Sequence, residues 1–232
     1  MIQLNRHMYF RLSILFLFFS GGISLRGWQT EKAMSQILDT PGEIRVIHAP
    51  LKQALKQIAK TYGVPIFAEL ASPEPELDIP KETTTARRLL DGLALLYPQY
   101  KWTVHGSIVY FYDDAVRDEP GNFLNAKLKS FTISGTIADV DLRLKSEVNK
   151  VRLGINTPGG LIVGLSPIAL RKGHLPKVLL ENVTGREIMF RLAEIAPEFY
   201  TAISFPRGRP LTEADIQEAF AGWVWDGIDP AN

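Results

Sequence analysis

Two stretches of this chain follow one pattern, and that recurrence limits the folds open to it. The first runs Thr85, Arg87, Leu89, Leu90, Leu93, Ala94, Leu96, Pro98, Tyr100. The second runs Thr184, Arg186, Ile188, Met189, Leu192, Ala193, Ile195, Pro197, Phe199. In the first, Thr83, Thr84 or Thr85 can cap a helix; in each, apolar residues recur at helical spacing, with Leu89, Leu93 and Leu96 as the stripe of the first. A proline then ends the helix and an aromatic strand follows. A short apolar strand precedes each copy, LDIP in one and KVLLENV in the other. A chain that repeats this unit is expected to be α+β, with helices on small sheets.

The residues before the first copy extend the unit. GEIRVIHAP alternates as a strand, with Ile44, Val46 and His48 on one side. In HAPLKQALKQIAKTYGVPIF, Leu51, Ala54, Leu55, Ile58, Ala59 and Tyr62 form one helical face. Pro50 suits a first helical position and Gly63 a helix end. Val64–Phe67 reads as a strand. YKWTVHGSIVYFYDD reads as a hairpin turning at His105-Gly106-Ser107, and DDAVRDEPGN as the best domain boundary. In the second half, ISGTIADVDLRLKSEV places Ile137, Val140, Leu144 and Val148 like Leu51, Ala54, Ile58 and Tyr62. Val140, Leu142 and Leu144 also alternate as a strand would, so both readings stay open, with helix favoured by the repeat. The expected architecture is two small related domains, each a mixed β-sheet with two helices packed on it, in the order β-α-β-β-α-β-β. The first spans 43–114 and the second 126–232, separated by a linker at 115–125 and preceded by another at 25–42. Insertions fall near 156–174 and 207–220, the latter holding a short helix capped by Thr212.

With this order, IHAPLKQALKQIAKTYGVPI and LDIPKETTTARRLLDGLALLYPQYKWTVHGSIVYF resemble the secretin and TonB short N-terminal domain. That periplasmic module heads outer-membrane secretins and signal-transducing TonB-dependent receptors. The resemblance covers about Glu43 to Tyr112. LENVTGREIMFRLAEIAPEFYTAISF looks like a degenerate, expanded second copy. These motifs consist of core residues, and neither a secretin channel nor a receptor barrel follows in the sequence. The resemblance implies a periplasmic, non-catalytic protein–protein interaction module.

The N-terminus agrees with export. Arg6, His7 and Arg11 precede LSILFLFFSGGISL, with no acid before Glu31. A basic head and an apolar run of about 8 to 15 residues have the form of a secretory signal, read here as 1–24. Left uncleaved, it would be an N-terminal anchor; that segment is the expected link to a membrane. Lys plus Arg number 26 and Asp plus Glu 25, a balance that gives no electrostatic case for nucleic acid. With no cysteine, disulfides, thiolate metal sites and cysteine nucleophiles are excluded. His48, His105 and His174 lack partners at metal-ligand spacing. GLSPI is not a nucleophile elbow, and TPGGLIVG lacks the Lys and Ser/Thr of a phosphate loop. Acid pairs such as Glu74 and Glu76, or Asp113 and Asp114, read as solvated surface. No catalytic residue, metal ligand or cofactor is therefore expected, and the chain is not expected to be an enzyme. The candidate interaction residues are aromatic: Tyr110 and Tyr112 on one strand face, opposite Val109 and Phe111, and Trp223 and Trp225 around Val224. One face of a small helix-backed sheet should stay near the surface, where such rings meet a partner of the cell envelope. A small-ligand sensor of the periplasm is the alternative, and an envelope hydrolase using carboxylates between the halves a more distant one.

Overall fold

The computed structural model of the chain describes residues 33–153, 174–196 and 199–227. The signal segment, the GLSPI and TPGGLIVG stretches, and nearly all of the insertion near 156–174 lie outside these residues. A helix, α1, covers 33–39. It is followed by β1 (Pro41–Pro50), α2 (Leu51–Tyr62), β2 (Ile66–Ser72), β3 (Glu76–Thr85), α3 (Ala86–Leu96), β4 (Tyr100–His105) and β5 (Ile108–Asp113). Next come α4 (Asp114–Arg117) and a 3-10 turn at Phe123–Asn125. The second half adds β6 (Lys127–Gly135), α5 (Ile137–Leu153), β7 (Leu175–Thr184), α6 (Gly185–Ile195), β8 (Phe199–Pro206), α7 (Glu213–Gly222) and β9 (Val224–Gly227).

Local chemistry accounts for the helices. Thr85 caps α3 and Thr184 caps α6, the latter in a reciprocal box with Glu187. Thr212 caps α7 in the same way with Asp215. Pro50 occupies the cap position of α2 without a side-chain bond. The first turn is satisfied from outside: Leu51 N donates to Pro75 O at 2.9 Å and Lys52 N to Glu74 Oε2 at 2.7 Å. Glu74 is therefore not solvated surface; its charge meets the positive end of α2. Gly63 closes α2 at φ 64°, a backbone region open to glycine. The stretch from Ile137 is a helix, because spacing by four puts Val140, Leu144 and Val148 in the core and leaves Leu142 at the surface.

The halves share one sheet. Its order is β4-β5-β2-β8-β9, with β2 at the centre and parallel to both β5 and β8. Ile66 stands opposite Val109 on one side and Tyr200 on the other. β4 and β9 pair antiparallel at the two ends. Each half keeps a separate two-stranded ribbon, β1 with β3 and β6 with β7. Alternation along β2 sends Ile66, Ala68 and Leu70 to one face and Phe67 and Glu69 to the other. All five are buried. The first face meets α2 of the first half, where Tyr200 Oη donates to Lys52 O at 2.5 Å. The second meets α6 of the second half: the Phe190 ring lies 6.0 Å from Phe67 and 5.2 Å from Tyr110.

This corrects the picture of two sheets, each with one covered face. The helices of the two halves cover opposite faces of a single sheet, so its central strands are buried on both sides. The stretches read as linkers also carry packed elements. Met34 and Leu38 of α1 are buried, as are Val116, Phe123 and Leu124 between the halves. In α3 the buried residues are Ala86, Leu89, Leu90 and Leu93. Leu96, expected in the stripe, is the last residue of α3 and is 65% exposed.

Candidate functional site

Three of the four aromatic residues assigned to an interaction surface are interior. Tyr110, Trp223 and Trp225 are buried, and Tyr112 is half-buried. Tyr110 stacks on Phe67 at 5.2 Å and on Tyr112 at 4.4 Å. Tyr112 also carries the Arg117 guanidinium 4.7 Å above its ring. Trp223 Nε1 donates to Thr201 Oγ1 at 2.8 Å, and the two tryptophan rings lie 5.5 Å apart. These rings fill the second face of the sheet, and burial removes them from any free surface. Sequence alternation could not show this for the tyrosines, since the helix that covers them comes from the other half of the chain.

What the tyrosines surround is a buried ionic centre. Glu69 of β2 is fully buried. Arg186 of α6 grips it with both edges, Nε to Oε1 at 2.6 Å and Nη2 to Oε2 at 2.9 Å. Tyr110 Oη donates to Oε1 at 2.6 Å and Asn122 Nδ2 to Oε2 at 2.7 Å. Arg186 also donates to Asn125 Oδ1 at 2.6 Å and to Arg117 O at 3.1 Å. Burial, reinforced by the Glu69 charge, pushes the Tyr110 phenol far up and keeps it a donor. Every polar atom of this centre faces a structural partner, so its chemistry is to lock β2 of the first half to α6 of the second. The signal for it lay in the repeat: Arg186 matches Arg87, which grips Asp39 of α1 through Nε at 2.6 Å and Nη2 at 3.2 Å. In both copies the motif arginine holds the segment that precedes its own half's first strand.

A second polar cluster lies under the tryptophans. Lys145 of α5 is buried, with Nζ 3.1 Å from Asp141 Oδ2 and 5.1 Å from the Trp223 ring centre. Desolvation lowers the Lys145 ammonium and raises the Asp141 carboxyl, each opposed by the other's charge. The remaining residues weighed from sequence stand apart. His48 is exposed beside Asp78, at 3.0 Å. His105 stacks on Phe190 at 3.9 Å, and His174 lies on the surface before β7. Asp113 is buried and caps α4, with Arg207 Nε 2.9 Å from Oδ2. Among the described residues, no group of three or more His, Asp or Glu side chains could hold a metal ion. None of the described helices is long and apolar enough to cross a membrane.

The accessible feature is the edge of the sheet at β4. All six residues of β4 pair with β5 in unbroken register, from Tyr100 opposite Asp113 to His105 opposite Ile108. The two ribbons are interrupted by irregularities at Ile44/Val46, Val46/Ala49 and Ile133/Gly135. At the other end of the sheet, β9 has four residues and its Asp226 carboxylate is taken by Lys56 and Lys60 of α2. Beside β4, at the end of α3, Leu95 is 83% exposed and Leu96 65%. The hairpin closes over two residues, so His105 and Ile108 exchange both backbone bonds, and alternation turns the N–H and C=O of Trp102 and Val104 outward. Matched against protein-family models and against curated proteins, the sequence shows no counterpart in either.

Proposed function

We propose that this chain is an exported, non-catalytic protein–protein interaction module of the cell envelope, and that it receives an extended segment of its partner on the outer edge of β4. The observation that carries this reading is the regular edge flanked by two exposed leucines. An unpaired, bulge-free edge is a template for another strand, and proteins usually blunt such edges with bulges, charge or shortness. β4 carries one such charge, Lys101, which is paired with Asp114, but it has neither the irregularities of the two ribbons nor the shortness of β9. Strand addition draws affinity from backbone bonds and selectivity from flanking side chains. Leu95, Leu96, Trp102 and Val104 offer apolar contacts, and Lys101 and Thr103 polar ones on the opposite side. Export rests on the basic head and apolar run of residues 1–24, and the cell-envelope setting on the resemblance to the short N-terminal domain of secretins and TonB-dependent receptors.

The test is crosslinking capture from envelope fractions with the native chain and with Val104→Pro. Proline removes the outward N–H and leaves the β4–β5 ladder its bonds. The expected result is one specific partner captured by the native chain and lost with Val104→Pro, at an almost unchanged melting temperature. A partner retained equally by both proteins overturns the assignment to this edge.

A further inference from the structure

The second half carries a polar groove that the interaction reading does not use. It has a volume of about 540 Å³ and lies between β6 and α5, with Lys177 of β7 at its side. Ser130, Thr132 and Ser134 alternate along β6 and supply three hydroxyls to its wall. Arg143 and Glu147, one turn apart on α5, face them. Arg143 is held in place: Nη1 donates to Thr132 O at 2.5 Å and to Ser134 Oγ at 3.2 Å. That anchor fixes the plane of the guanidinium and leaves its other donors to the groove.

The charges in and around the groove are unevenly matched. Glu147, which lines the groove, is paired with Lys150, 2.7 Å from Oε1, and Glu181 of β7 stands across from Ser130. Asp139, one turn before Arg143, spends one oxygen on the N–H and hydroxyl of Thr136, at 2.7 and 2.8 Å. Among the described residues, neither Arg143 nor Lys177 has a carboxylate within ion-pair distance. Two cations outside direct ion pairs thus line the same space as three hydroxyls, although the Arg143 charge also acts on Asp139. Its volume falls in the range of small-molecule sites, about 300 to 1,000 Å³.

We propose that this groove binds a small hydroxylated molecule carrying an oxyanion, of the acidic-sugar type. Arg143 and Lys177 hold the oxyanion, and the β6 hydroxyls exchange hydrogen bonds with the ligand hydroxyls. Arginine meets a carboxylate or phosphate with paired donors, and the hydroxyls of Ser and Thr both donate and accept. This site is independent of the β4 edge and stands whether or not that edge binds a partner strand.

The experiment is a nuclear magnetic resonance titration of the full-length protein with glucuronate, acetate and glucose, following the amides of Ser130, Thr132 and Ser134. Glucuronate should shift them saturably and more tightly than acetate, with glucose weakest. Because Arg143 also joins α5 to β6, the decisive variant is Lys177→Gln, on an exposed side chain with no structural bond. It should weaken glucuronate binding about tenfold, the scale of one charge-assisted hydrogen bond, at an unchanged melting temperature. Arg143→Gln should weaken it at least as much. Glucose binding as well as glucuronate overturns the oxyanion assignment, and acetate doing so overturns the role of the hydroxyls. Absence of any shift, or a Lys177→Gln protein that binds normally, overturns the site.

Discussion

Replacing Glu69 by Leu tests whether the two halves form one cooperative unit. The substitution leaves Arg186 charged and largely buried, with two of its donors unmatched, strips Tyr110 Oη of its acceptor and leaves Asn122 Nδ2 only Val116 O. Removing one member of a buried ion pair costs about 3 to 5 kcal/mol. The loss of acceptors for the phenol and the amide works in the same direction, since each unsatisfied buried group costs about 1 to 3 kcal/mol. For a chain of this size, about 2 to 4 °C of melting temperature accompanies each kcal/mol, so a drop of about 6 to 20 °C is expected. The double variant Glu69→Leu/Arg186→Met removes both charges and should recover a large part of that loss, because paired removal leaves no orphaned charge. The assay is chemical denaturation of the three proteins followed by two probes, near-ultraviolet signal for the aromatic core and far-ultraviolet signal for the helices. A single shared transition is expected in each. A loss below about 1 kcal/mol for Glu69→Leu, or separate transitions for the two halves in the native chain, would refute the reasoning that this centre joins them.

Other expectations follow from the same contacts. Ile58→Ala should cost about 2 to 5 kcal/mol in a denaturation experiment, since Ile58 is fully inside the α2 face. Lys56→Ala should cost no more than about 1 kcal/mol, the scale of a partly exposed pair such as Lys56 with Asp226. Arg152 holds the Glu213 carboxyl down, from the ordinary 4.5 to about 2. A depressed carboxyl contributes stability above its unfolded value and loses it as pH falls through the folded one. Arg152→Gln should therefore flatten the fall in melting temperature between about pH 4.5 and about pH 2, and an unchanged acid limb counts against the pair. The Asp141→Leu/Lys145→Met double variant should be about as stable as the native chain, while Lys145→Met alone is less stable. Cell fractionation with N-terminal sequencing should find the protein outside the cytosol, and a cytosolic chain beginning at Met1 would remove the export reading.

How much of this was legible in the sequence depends on the range of the interaction involved. Helix and strand positions follow from near neighbours: a threonine among Thr83, Thr84 and Thr85 as a cap, Gly63 as a stop, apolar spacing by three and four in α2, and the turn at His105-Gly106-Ser107, which closes between His105 and Ile108. The repeat was legible for the same reason, and it placed Arg87 and Arg186 at matching positions. It could not say what either arginine binds. Asp39 and Glu69 are chosen by packing, one on α1 and the other across the boundary between the halves. The parallel pairing of β2 with β8 joins segments far apart in the chain, and no local pattern encodes it. That pairing covers the second face of the sheet, draws Tyr110 into the interior and leaves β4 as the regular open edge. The sequence by itself determined the elements and their apolar faces, because those depend on the backbone and its nearest side chains. Only the tertiary structure decided which face met which, because both faces of β2 and β5 are apolar enough to be buried and the choice of cover rests on contacts between distant parts of the chain.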